Sequence, residues 1–306
     1  MAIVLGDNRY GKAETRVVRI VRDTPRHEIR DRNVSTALRG DFAAAHDSGD
    51  QAHVLPTDTQ KNTVFAYALE HGGGAAEDYA AAIADRLLEA SPYATSAQVR
   101  VEEYAWDRVS VGGPDHEHGH DHSFVRRGTE VRTCAVTVEG RGADRRSHVL
   151  SGLTDLTVLK STGSEFKGFL KDRFTTLAET DDRVLATSLR AWWRWGAEHP
   201  DDWDAAYDSV RSLLLETFAT TYSRALQETL QLMGRAVLEA HPGLAEIKFS
   251  APNKHHFVVD LSPFGMENPG QVFHADDRPY GLIEAQVLRD DAAEEAVAWR
   301  DIPGFC

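Results

Sequence analysis

The stretch SHVLSGLTDLTVLKS, Ser147–Ser161, decides the fold. It reads as an extended strand at the point where a chain that has already run through strands, helices and strands begins that order again. Before it, TRVVRIVRD (Thr15–Asp23) and RHEIRDRNVST (Arg26–Thr36) are β-branched and charged, with Pro25 marking a turn between them, which predicts a hairpin. Val64, Tyr67 and Ala68 then share one helical face. After the break HGGG (His71–Gly74), Tyr79, Ile83, Leu87 and Leu88 recur at helical spacing. AQVRVEEYAWDRVSV and EVRTCAVTVEG alternate as two more strands. The order is β, β, α, α, β, β.

From about Arg146 the same order returns. RVLATSLRAWWRW follows as a second strand. DAAYDSVRSLLLETFATT and YSRALQETLQLMGRAVLEAH read as helices, the latter stopped by His241-Pro242-Gly243. EIKFSAPNKHHFVVDLS and GLIEAQVLRD complete the set as strands. Residue identity between the halves is weak, so the repeat is one of layout, with units expected at 1–142 and 143–306. The fold class is α+β: antiparallel sheets, each with a helix pair on one face. Open sheets with long edges invite pairing, so closure into a ring with other copies is expected.

The 306 residues give room for two such units, and 42% hydrophobic with 27% charged residues describes a globular chain. A formal net charge of −14 with no Lys/Arg block argues against nucleic acid as a partner. No apolar run reaches membrane-spanning length. The two cysteines, Cys134 and Cys306, form no CxxC pair, which disfavours a disulfide framework or a thiolate metal site. The start MAIVLGDNRYGK lacks a signal-peptide pattern, and the chain ends in GFC, not in a peroxisomal Ser-Lys-Leu tail. A reducing cytoplasm is the expected address.

Four polar clusters could carry chemistry. YGK (Tyr10–Lys12) sets a lysine on a glycine turn just ahead of the first strand; alone it reads as a solvated surface lysine. VLPTDTQKNT (Val54–Thr63) offers Thr57 or Asp58 as an N-cap for the helix that follows, with Lys61 solvated. That leaves the surplus hydroxyls and the Asn62 amide without a task, and a ligand-facing loop is the other reading. In APNKHHF (Ala251–Phe257), Pro252 interrupts a strand pattern, so Asn253, Lys254, His255 and His256 are expected on a kink or bulge. The last cluster joins KSTGSEFKGF (Lys160–Phe169), Arg183 and the helical Gln227, with Arg183 also open to a structural pairing with Asp181 or Glu179.

DHEHGHDHSF (Asp115–Phe124) places His116, His118, His120 and His122 at alternate positions, as a zinc or nickel site on a strand would. Its GGP flank reads better as a hairpin loop with adventitious affinity, and no metal is assigned to it.

Taken together, YGK, PTDTQKNT, LTVLKSTGSEFKGF, TTLAETDDRVLAT, ALQETL, SAPNKHHFVVDL and DRPYGLIEA resemble the urate oxidase (uricase) family, in the family's order, from Tyr10 to Ala285. The resemblance implies a tunnelling fold of two tandem ββααββ units that closes into a barrel on oligomerisation, as a homotetramer with active sites at subunit interfaces. It implies oxidation of urate by O2 to 5-hydroxyisourate and hydrogen peroxide, with no metal or organic cofactor. Arg183 matches the arginine that grips urate with its fork, Gln227 the amide at the opposite edge, and Phe166 the ring stacked against the substrate. Leu226 matches a backbone donor, and Thr57 and Asp58 the pair at the substrate's far side. Lys12 and Thr57 match a proton-relay pair extended by His255, and Asn253 matches the amide that orients O2 above the ring. Pro56 departs from the alanine common before the Thr-Asp pair; it restricts Leu55 and is expected to shift Thr57 slightly. Two alternatives stay open on sequence grounds: a tunnelling-fold enzyme for another purine or a pterin, and a His-rich metal-binding scaffold.

Overall fold

The computed structural model describes residues 2–112 and 119–302; His116, His118 and Cys306 lie outside them. Two compact units emerge, residues 2–152 with Glu294–Ile302, and Leu153–Ala293. The first contains β1 (Tyr10–Val21), β2 (Glu28–Gly40), a short α1 (Ala43–Asp47), α2 (Thr57–Glu70), α3 (Ala76–Ala90), β3 (Ala94–Arg108) and β4 (Phe124–Glu139). β5 (Arg146–Lys160) carries the chain into the second, which holds β6 (Leu185–Trp195), α4 (Trp203–Thr220), α5 (Leu226–Ala240), β7 (Leu244–Val258) and β8 (Phe273–Leu288). A final turn of helix, α6 (Ala296–Trp299), returns to the first unit. The α+β order ββααββ therefore occurs twice, with antiparallel pairing of β1 to β2, β2 to β3, β3 to β4, β6 to β7 and β7 to β8.

Strand periodicity fixes the helix-bearing face. Val34, Thr36 and Leu38 of β2 stand opposite Val101, Val99 and Ala97 of β3, and all six are buried. Tyr79, Ile83 and Leu87, on one stripe of α3, are fully buried with them. In the second unit Leu226, Leu230, Met233 and Val237 of α5 and Ile247, Phe249 and Ala251 of β7 form the matching core. α5 lies so close to β8 that a Cβ on Gly234 would stand 2.5 Å from the Val287 side chain. The opposite face of β2 and β3 is partly covered by the returning segment: the Gln98 amide donates to the Arg300 carbonyl, and Arg39 pairs with Asp301.

Several boundaries differ from the expected ones, two of them on strands that carry or pair with candidate residues. YGK is not a turn ahead of the first strand but the start of β1 itself, with Tyr10, Gly11 and Lys12 opposite Leu38, Ala37 and Thr36. Gly11 is required there, since a Cβ would fall 1.8 Å from the Thr36 carbonyl oxygen. β8 begins at Phe273, eight residues before the expected Gly281, because FHAD pairs with the far end of β7 from His255 to Val258.

Candidate functional site

In the first unit the candidate residues lie on β1 and at the start of α2. Thr57 is the first residue of that helix and Asp58 the second, while Pro56 occupies the N-cap with φ −54° and ψ 140°. No side chain caps the helix, so the expected N-cap role of Thr57 or Asp58 is not taken up. Proline fits there because the residue flanking a helix start needs no amide donor. Lys61 and Asn62 acquire a task instead: Lys61 Nζ and Asn62 Nδ2, the latter at 3.1 Å, donate to the two Asp58 oxygens. Lys61 chiefly, then Asn62 and the charge of Lys12, hold the Asp58 carboxyl below its ordinary range. The loop ahead of α2 is tied to β1 by Leu55 N–H donating to Tyr10 Oη at 2.8 Å. Lys12 N–H donates to Thr36 Oγ1 at 3.2 Å, and Thr36 Oγ1 donates to the buried Gln60 Oε1 at 2.7 Å.

In the second unit Phe166 and Arg183 meet. Phe166 and Thr180 exchange backbone hydrogen bonds of 2.9 and 3.0 Å, and Arg183 N–H donates to the Ser164 carbonyl at 2.8 Å. The Arg183 guanidinium then lies 5.1 Å from the Phe166 ring centroid, and Phe169 stacks on that ring at 4.9 Å. The structural pairing left open for Arg183 is absent. Asp181 pairs with Lys167 at 2.6 Å, Glu179 with Lys171 at 2.9 Å, and Asp182 accepts from Thr162 at 2.8 Å. Among the described residues no carboxylate pairs with Arg183, whose side chain reaches only the Ser164 hydroxyl, at 3.4 Å. Burial alone pushes its guanidinium below the ordinary value. A half-buried, unpaired fork against an aromatic face suits a flat anion that can accept two parallel hydrogen bonds.

Leu226 and Gln227 open α5, whose N-cap Ala225 offers no capping side chain. The helical ladder starts with Thr229 N–H on the Ala225 carbonyl, so Leu226 N–H has no partner within the helix. Gln227 is exposed. The helix start is bound to the Arg183 loop through hydroxyls: Thr229 Oγ1 donates to Ser223 Oγ at 2.7 Å, and Glu165 and Ser223 extend the bridge with backbone bonds of 2.9 Å. Asn253 and His255 flank a bulge on β7, as Pro252 led us to expect: the register with β8 shifts between them. His255 stacks on Phe257 at 5.7 Å, and His256 Nδ1 lies 3.1 Å from the Lys254 carbonyl. No hydrogen bond or ring contact joins Asn253 or His255 to Phe166 or Arg183 among the described residues.

Sequence reasoning missed Thr36, Gln60, Ser164, Ser223 and Thr229. Gln60, Ser164 and Thr229 stood inside quoted motifs, but only the fold shows that all three are fully buried. In the histidine run, His120 and His122 lie 4.4 Å apart ring to ring, with His27 5.9 Å from His122. No group of three metal-ligating side chains with metal-holding geometry occurs among the described residues. Nor is any helix there long and apolar enough to cross a membrane.

Known proteins resemble this chain over most of its length. The family model described as Uricase matches residues 8–137 and 149–284. The uricase of Arthrobacter globiformis is 49% identical over 304 residues, covering 99% of this chain and 96% of the relative. That of Dictyostelium discoideum is 34% identical, covering 92% and 96%. The crystal structure of the Arthrobacter globiformis uricase superposes with a TM-score of 0.91 at 48% identity, over 98% of this chain and all of that one. The chain thus belongs to the uricase family and is a urate oxidase.

Proposed function

We propose that the chain oxidises urate without metal or organic cofactor, and that Lys12, Thr57, Asp58, Phe166, Arg183, Leu226, Gln227, Asn253 and His255 carry the reaction. Urate, O2 and water give 5-hydroxyisourate and hydrogen peroxide. The observation that carries the assignment is the half-buried Arg183 fork, unpaired among the described residues and lying against the Phe166 ring. Urate is a flat, electron-rich anion, so the protein has chiefly to hold it, deprotonate it and set O2 over its face.

Arg183 grips one edge of urate through two N–H groups, and the Gln227 amide reads the opposite edge with one donor and one acceptor. Phe166 lies under the ring, and Leu226 N–H adds a donor whose position at a helix start favours an anion. Thr57 and Asp58 close the far side. Lys12, Thr57 and His255 pass protons between urate, water and peroxide, while Asn253 orients O2 and then the attacking water. The residues of the first unit and those of the second are contributed by different chains of a homotetramer. Support for assembly comes from the edges: among the described residues β1 and β8 each pair with a single strand, and Val18, Leu282 and Leu288 on them are about half exposed. Loss of urate absorbance coupled to O2 uptake and peroxide release, with the purified, chelator-treated chain, tests the reaction. Dependence on added metal would refute it.

A further inference from the structure

Lys12 sits where β1 leaves its regular ladder. Lys12 stands opposite Thr36 and Thr15 opposite Val34, so Ala13 and Glu14 together face the single residue Ser35. Glu14 takes a φ of 57°, a left-handed conformation that a residue with a side chain keeps only when its surroundings impose it. The surroundings are two successive hydroxyls of β2. Ser35 Oγ accepts Glu14 N–H at 3.0 Å, and Thr36 Oγ1 accepts Lys12 N–H at 3.2 Å. Side chains thus take over from the ladder at the bulge, and such bulges re-aim the residue beside them.

The Thr36 hydroxyl has one proton to give. Gln60 Oε1 lies 2.7 Å away and the Lys12 carbonyl 3.5 Å, so the proton goes to Gln60. Gln60 Nε2 in turn points to the Leu55 carbonyl at 3.5 Å. Gln60 is fully buried and Thr36 is 5% exposed. An amide and a hydroxyl placed at that depth are costly wherever their hydrogen bonds are not all met, and an apolar pair would hold β2 to α2 as well. What the polar pair adds is direction: one chain of bonds runs from the backbone of Lys12 to the helix whose first two residues are Thr57 and Asp58.

We propose that Gln60, acting through the Thr36 hydroxyl, is a positioning residue that sets the aim of Lys12 toward the start of α2. This rests on the assignment of Lys12 and Thr57 to proton transfer. Neither Gln60 nor Thr36 touches substrate; they fix where the lysine stands. Tyr10 Oη accepts Leu55 N–H and anchors the same loop from the other side, so β1 and the loop before α2 are tied at two points.

The test is steady-state urate oxidation by Thr36→Val, Thr36→Ser and Gln60→Met, each alone and in a Lys12→Met background. Thr36→Val and Gln60→Met should each lower kcat about 10- to 100-fold, the cost of displacing a reacting group by about an ångström, with the urate KM within about threefold of wild type. Thr36→Ser keeps the hydroxyl and should restore the rate, which separates hydrogen bonding from loss of packing. If Thr36→Val does not fold, Gln60→Met alone carries the same comparison. In the Lys12→Met background neither change should cost anything further, because both act through that lysine. Wild-type kcat in both variants, or a full additional loss on top of Lys12→Met, overturns the proposal. A Lys12→Met enzyme that turns over at the wild-type rate would instead remove the relay on which the proposal rests.

Discussion

Arg183→Lys keeps the positive charge and removes the fork, which makes it the sharpest perturbation of the proposed site. Arg183 is held by its own backbone N–H on Ser164, a bond the substitution leaves intact. Among the described residues its side chain has no carboxylate partner, so no counterion is orphaned. Stability should therefore change little, by about 1 kcal/mol or less, since only the long contact to the Ser164 hydroxyl and the face of Phe166 are given up. Activity should not. Hydrogen bonds to charged groups are worth about 1.5–3 kcal/mol, so losing one prong of a bidentate grip should lower kcat/KM for urate by about 10- to 150-fold. Arg194 supplies the contrast, because it is buried against Glu246 at 2.5 Å. Its replacement by leucine takes the cation away from a buried carboxylate, and a loss of about 3–5 kcal/mol should appear as a large drop in melting temperature. Initial rates over a range of urate concentrations and thermal melts on both variants decide the matter. Wild-type kcat/KM in Arg183→Lys, or a melting-temperature loss matching that of Arg194, would refute the assignment of Arg183 to the substrate.

Three further outcomes are expected. Gly234→Ala should destabilise by about 1–3 kcal/mol by calorimetry, since its methyl would crowd Val287, and trimming Val287 to alanine in the same chain should recover part of that loss. Asp58 has a depressed carboxyl pKa, so its ionised form persists to lower pH than usual, and whatever stabilisation it gives is lost as pH falls through that lowered value. Lys61→Met removes the largest cause; carbon-13 NMR should then show the Asp58 carboxyl titrating at higher pH, and an unmoved titration would mean that Lys61 does not hold it. Chelator-treated enzyme should keep its turnover, and recovery of a lost rate by zinc, copper or iron would count against a cofactor-free mechanism.

The layout was legible because both periodicities were strong: Tyr79, Ile83 and Leu87 mark a helix stripe, and the β2–β3 pairs mark a strand face. The start of β1 was hidden because Tyr10-Gly11-Lys12 has no apolar alternation and becomes a strand only by pairing with Leu38, Ala37 and Thr36. The first half of β8 was hidden likewise, since FHADDRPY is polar and its strand state comes from its partner. Candidate site residues could be named where they stood in long, uncommon motifs. Those that hold them were not. Ser223 and Thr229 join the Arg183 loop from another helix start, and Thr36 meets Gln60 across 24 positions, so no local pattern could announce either contact. The clamp of Arg9 and Arg39 on Asp301 depends on the chain's end returning to the first unit, a tertiary event with no periodic signature.

The proposed sharing of sites between chains has a consequence that a single mutant cannot reveal. Lys12, Thr57 and Asp58 belong to one compact unit, and Phe166, Arg183, Gln227, Asn253 and His255 to the other. If each site takes its first set from one chain and its second from a two-fold partner, a pair of chains carries two hybrid sites. Thr57→Ala and Arg183→Ala chains, each inactive alone, are to be co-expressed. In a mixed pair one site then collects both lesions and the other neither. Random pairing makes about half of the pairs mixed, each with one intact site of two, so about a quarter of wild-type activity should return. A site built within one chain permits no such rescue, because each site keeps its own lesion whatever its partner. Native mass spectrometry establishes that mixed oligomers are present. Activity no higher than that of either variant alone, in samples where they are, would reject the shared site and require Lys12 and Arg183 to meet within a single chain.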